Sequence, residues 1–191
     1  MRRSRPSVNA GSMADIAFLL LIFFLVTTTI QSEAGINRKL PPPKDDIPQG
    51  FIHKLNLLIV EINSRDEIMI NDTVRKLSEL RRIAKDFIDN GADCDYCKGS
   101  KSPSMSVHPD KAIISLRSNR ETGYEAYIKV QNELVAAYGQ LRNREAMRLF
   151  KTSYDELKLQ YKETSDKVVQ NKLKTIQERY PEKISEAELK Q

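Results

Sequence analysis

The chain has 191 residues, enough for one ordinary domain with accessories. Its 31 Lys and Arg against 26 Asp and Glu give a net charge of +5, to which Arg2, Arg3 and Arg5 contribute three; the nearly balanced remainder has no basic stripe and excludes a nucleic-acid surface built on clustered cations. A mean hydropathy of −0.50 excludes a multi-span membrane protein, so any long apolar run is a local exception.

Residues 1–11 form a short arm. Residues 12–30 read SMADIAFLLLIFFLVTTTI, 19 residues with a carboxylate at Asp15. As a helix this run measures about 28 Å at ~1.5 Å per residue, close to the ~30 Å hydrocarbon core of a bilayer. A retained membrane anchor is expected. A cleaved signal peptide is the alternative, given the basic start and the small residues around Ser32-Glu33-Ala34, but an acid at the head of the run serves no export purpose. A buried helix of a soluble domain needs neighbours that cover it on all sides, which the hydrophilic remainder does not supply. Arg2, Arg3 and Arg5 on one flank nearly tie with Arg38, Lys39 and Lys44 on the other. The shortness of the leading arm tips the orientation toward a cytoplasmic N-terminus.

Asp15 has two readings. It caps the helix at headgroup level, or it is a buried acid facing protein, where an ionised carboxylate in a bilayer costs at least ~2.5 kcal/mol and burial favours proton exchange by raising the carboxyl pKa. In the second case one helix cannot form a proton path, and partner helices are implied. The hydroxyls of Thr27, Thr28 and Thr29 lie at the outer end of such a route, or serve interhelical and interfacial hydrogen bonds.

The series Asn9-Ala10-Gly11-Ser12-Met13-Ala14-Asp15, followed by IAFLLLIFFLVTTTI and then Ile36-Asn37-Arg38-Lys39-Leu40-Pro41, resembles the ExbD and TolR family of biopolymer-transport proteins. Asn9 stands six residues before the acid, as in that family, while Gly11-Ser12 replaces its common Thr-Pro pair. The resemblance implies an inner-membrane energy-coupling subunit with a cytoplasmic N-terminus, one span and a periplasmic domain. It implies an ExbB-like multi-span partner ringed around two copies of the subunit, a proton-responsive Asp15 with Asn9 and Thr27 as accessories, and no cofactor or metal. The proton motive force would then drive a TonB-like or TolA-like protein. The rival is a tethered periplasmic module that grips peptidoglycan or a partner peptide along a strand edge, with no proton role.

Residues 31–50 contain Pro41, Pro42, Pro43 and Pro48 and read as a stiff extended tether. Residues 51–191 read as an α+β domain. LNLLIVEI (55–62) and EIMIN (67–71) form a hairpin across the turn at residues 63–66. Asp72 or Thr73 caps a helix whose Leu77, Leu80, Ala84, Phe87 and Ile88 recur at helical spacing and which Asn90-Gly91 ends. A polar loop, 92–110, holds Cys94 and Cys97. They are read as a local disulfide in an oxidising compartment, as unpaired thiols, or as a metal or redox pair for which only His53 and His108 are available as further ligands. KAIISLRSN (111–119) is a second buried strand, and Ala126, Val130, Leu134, Ala137 and Leu141 mark a second core helix. Residues 142–180 suggest one or two added helices whose mixed charges read as a solvated face or, alternatively, as a partner-binding helix; Pro181 stops them, and KISEAEL (183–189) closes the sheet. With no Gly-rich phosphate loop, nucleophile elbow or metal-spaced cluster, no catalysis is expected.

Overall fold

A computed structural model describes residues 10–27 and 53–188. The chain divides into two units, residues 1–48 and 49–191. The described part of the first unit is one helix, α1 (Ala10–Thr27). Its 18 residues measure about 27 Å at ~1.5 Å per residue, short of the ~30 Å hydrocarbon core. Among the described residues no helix is long and apolar enough to cross a membrane. Helix α1 starts two residues before the expected span of residues 12–30, whose residues 28–30 lie outside the described ones.

The second unit is α+β. A 3-10 turn, Lys54–Asn56, leads into β1 (Leu57–Ile62), followed by β2 (Ile68–Ile70), β3 (Thr73–Arg75), α2 (Leu77–Ile88), β4 (Ile113–Ser118), α3 (Tyr124–Phe150), α4 (Tyr154–Thr164), α5 (Lys167–Arg179) and β5 (Ile184–Glu188). The sheet order is β3-β2-β1-β4-β5. β1 pairs antiparallel with β2 and parallel with β4, and β5 is parallel to β4. Alternate side chains of β1, Leu58, Val60 and Ile62, are buried while Leu57, Ile59 and Glu61 are half-buried, the signature of a sheet covered by helices on one face. Ile114 and Leu116 of β4, Leu80 and Phe87 of α2, and Val130, Leu134 and Tyr138 of α3 complete one core.

The β1–β2 turn is closed by Asn63, whose Oδ1 accepts from the amides of Arg65 and Glu67, both at 2.9 Å. Asp66 at its tip accepts from the Gly123 amide at 2.8 Å, which ties the hairpin to the start of α3. Asp72 and Thr73 do not cap a helix: Asn71 and Asp72 both take positive φ, 45° and 65°, and turn the chain into β3. Helix α2 begins instead after Lys76, whose amide donates to the Glu79 carboxylate at 3.2 Å.

The polar loop after α2 is a tightly folded clasp. Buried Asn90 donates to the carbonyls of Ser102 and Ser106 and accepts from the Ser102 amide. Gly91, at φ +63°, sits where a Cβ would meet Cys97 Cβ at 2.2 Å, and a Cβ on Gly99 would meet the Asn90 backbone at 2.4 Å.

Helix α3 runs through residue 142 without a break to Phe150, so the added segment comprises its last turns plus a helical hairpin. Ser153 caps α4 and Asp166 caps α5, each accepting from a first-turn amide. Ala146, Tyr154, Leu157, Val169, Leu173 and Ile176 give the hairpin a core of its own.

Candidate functional site

In α1, Asp15 is the only ionisable residue between Ala10 and Thr27. It is the sixth residue of the helix, whereas only the first four amides lack a partner within the helix; the first turn carries no acid. It therefore stands past the first turn of α1, where a capping carboxylate sits. Gly11 and Ser12, four and three residues earlier, share its face and leave room for a close neighbour. The large apolar side chains from Met13 to Leu25 are 39–73% exposed. A continuous apolar surface of that kind marks a protein or lipid contact.

Among the other site residues read from the sequence, Asn9 lies outside the described residues. Thr27 is 12 residues from Asp15, about 18 Å along the axis at ~1.5 Å per residue, so α1 does not bring them together. The Thr27 hydroxyl donates to the Phe23 carbonyl at 2.7 Å, which spends its proton on the helix's own backbone.

In the second unit Cys94 and Cys97 are joined by a disulfide. Both sulfurs are thereby committed, and among the described residues no cluster of three or more His, Cys, Asp and Glu could hold a metal. The bridge closes the loop that carries Tyr96. The Tyr96 hydroxyl donates to the Arg179 carbonyl at 2.9 Å, its ring packs edge-on to Tyr180 and His108, and the Arg179 guanidinium lies over it at 4.9 Å. Burial pushes the Tyr96 phenol up to about 12. The disulfide thus fixes the residue against which the end of α5 docks. Closing a loop this short removes about 2 kcal/mol of unfolded-state entropy. Reduction, or the Cys94→Ser/Cys97→Ser variant, is expected to lower the unfolding free energy by that amount in denaturant titrations of the full chain.

Sequence reading assigned residues 142–180 a solvated charged face and so missed two buried ionic clusters. Glu145, 1% exposed, accepts from Arg148 through both carboxylate oxygens, at 2.9 and 2.7 Å, and from Arg179 at 2.6 Å. Asp89, at the end of α2, accepts from Arg144 through both oxygens and from the Tyr180 hydroxyl. The Arg148 hydrogen bond, partly opposed by burial, holds the Glu145 carboxyl below its ordinary range. A carboxylate with a lowered folded-state pKa stabilises the fold above its unfolded pKa and loses that stabilisation as pH falls through the folded value. Glu145→Gln is expected to cost about 2 kcal/mol at neutral pH and to flatten the acid limb of the stability curve, measured by urea titration at stepped pH. An unchanged acid limb would place the linkage elsewhere.

What α1 offers chemically is one carboxyl group on an otherwise apolar rod. A comparison with curated proteins finds no match. The model of the family described as biopolymer transport protein ExbD/TolR matches residues 1–144, from the basic arm into α3, and leaves α4, α5 and β5 beyond the match. That family is transport-associated rather than enzymatic, is membrane-associated and works in complexes with membrane partners. With 144 of its 191 residues matched, the chain belongs to the ExbD/TolR family of biopolymer-transport proteins.

Proposed function

We propose that this chain is the energy-coupling subunit of an inner-membrane complex in which Asp15 takes up and releases the protons that power the work. Residues 1–11 form a cytoplasmic arm, residues 12–30 the span, 31–50 the periplasmic tether and 51–191 the periplasmic domain. An ExbB-like multi-span protein surrounds a pair of these helices, and a TonB-like or TolA-like protein receives the work for outer-membrane transport. Asn9 and Thr27 are accessories near the two ends of α1.

The observation that carries the reading is the position of Asp15: the sole charge of α1, past the turn where a carboxylate caps. A membrane potential supplies about 2.3 kcal/mol per charge per 100 mV, which biases a two-state assembly only if the states differ in how they hold that charge. Residues 12–30 number 19, a length within the range of a span. The Cys94–Cys97 disulfide supports a domain on the oxidising side of the membrane. Exchange of Asp15 for Asn tests the proposal, with gradient-driven transport as the readout.

A further inference from the structure

Between α2 and α3, on the helical face of the second unit, lies a groove of about 350 Å³ lined by Ser78, Arg81, Arg82, Lys85, Glu133 and Gln140. Three cations and one acid line it. Arg81 is held in place by Glu133, donating from Nε at 2.8 Å and from Nη2 at 2.9 Å, which leaves Nη1 of the guanidinium for another acceptor. Arg82 reaches Asp86 only at 3.3 Å and is 70% exposed, a pair that exchanges readily. Lys85 is half-buried, and among the described residues its ammonium has no hydrogen-bond or ion-pair partner. A cation without a partner is open to an incoming anion.

We infer that this groove docks an acidic, extended polypeptide segment of a partner protein. The donors set that choice. Ser78, Arg81, Arg82 and Lys85 follow one another along eight residues of α2, about 10 Å at ~1.5 Å per residue, too long a row for a single small anion. An extended segment carries same-side carboxylates about 7 Å apart, at ~3.4 Å per residue. Acids at alternate positions therefore come within reach of Arg81 and Lys85, four residues and about 6 Å apart along the axis at ~1.5 Å per residue, with Arg82 alongside, while the Ser78 hydroxyl and the Gln140 amide serve the segment's backbone. The exposed positive rim steers such a segment in and makes its capture sensitive to salt. Nothing in this site involves Asp15, so the two proposals stand or fall separately.

The test titrates fluorescent hexaglutamate into the full-length chain in non-ionic detergent and follows anisotropy, with hexaglutamine and inorganic phosphate as separate probes. Expected are saturable binding of hexaglutamate, none of hexaglutamine, and loss of about tenfold in affinity in Arg82→Gln/Lys85→Gln, the sum of two rim ion pairs. Arg117→Gln removes a cation on the half-exposed sheet face, where Arg117 pairs with Glu61 at 3.0 Å, and should leave affinity unchanged. Unaltered binding in the double variant, equal loss in Arg117→Gln, or displacement of the peptide by phosphate at matched anion concentration would each overturn the proposal. Both substituted α2 side chains reach solvent, and an unchanged thermal melt of the variant confirms that the fold is intact.

Discussion

Asp15→Asn is expected to reduce gradient-driven transport to the level seen when the proton gradient is collapsed, while leaving the amount of protein in the membrane unchanged. Asn has the shape and much of the hydrogen-bonding capacity of Asp but cannot change charge between pH 4 and 9. If the driving term is the work of carrying one charge through the field, about 2.3 kcal/mol per 100 mV, the variant loses all of it rather than a fraction. Asp15→Glu keeps the ionisable group one methylene further out and is expected to retain partial activity, because Gly11 and Ser12 on the same face leave space for the longer side chain. The measurement is uptake through an outer-membrane receptor in cells carrying each variant, paired with proton flux in vesicles containing the full complex. Normal uptake in Asp15→Asn would sink the proton-carrier role and favour a tethered module whose helix is only an anchor. The helix geometry sharpens the contrast: a capping carboxylate would be replaceable by Asn at small cost, and Asp15 stands beyond the capping turn.

Asp15 was legible in the sequence because it violates its surroundings within a few residues; nothing distant is needed to see that a carboxylate inside an apolar run requires a reason. The core helices are legible on the same local terms, since Leu80, Ala84, Phe87 and Ile88 on α2 report their buried face through spacing alone. Strand β3 was not, because an Asn-Asp pair serves equally well before a helix and in a tight turn, and only the strand pairing of Ile68–Ile70 with Thr73–Arg75 decides between them. The loop after α2 reads only as polar for a similar reason. Its order depends on Asn90 reaching Ser102 and Ser106, contacts invisible to any short window. Glu145 is the extreme case: amid a run of charges it reads as surface, yet it is 1% exposed because Arg148 and Arg179 arrive from its own helix and from α5. The same blindness hid the α2–α3 groove, whose row of cations on α2 acquires meaning only when Glu133 and Gln140 of a second helix stand opposite.

Asp89→Ala is expected to be the most destabilising single exchange among the polar residues of the domain, at about 3 kcal/mol. The Asp89 side chain is 8% exposed and sits at the C-terminal end of α2. It accepts from Arg144 of α3 at 2.7 and 2.6 Å, from the Tyr180 hydroxyl at 2.8 Å and from the Lys98 amide at 3.2 Å. Arg144 also donates to the Tyr180 hydroxyl, at 2.8 Å. Burial, reinforced by the Asp89 bond, pushes the Tyr180 phenol well above its ordinary range, so it remains a donor. One carboxylate therefore joins α2, α3, the disulfide loop and the residue that follows α5. Truncation to Ala leaves the hydroxyl without its acceptor and the guanidinium without its counter-charge. Breaking a buried pair in this way costs about 3–5 kcal/mol, and the lower end applies because the Arg144 side chain is still 30% exposed and water softens its loss. Asp89→Asn keeps an acceptor and should cost about 1–2 kcal/mol, and Tyr180→Phe, which removes one hydroxyl, about 1 kcal/mol. Urea titration of the full chain orders the three variants. Hydrogen exchange locates the damage: protection should fall first in α5 and β5, since Tyr180 links the hairpin to the closing strand, and last in β1 and β4. A loss below about 1 kcal/mol in Asp89→Ala, the value of an ordinary exposed pair, would mean that the hairpin is held by its apolar core alone and that the ionic cluster only decorates the junction.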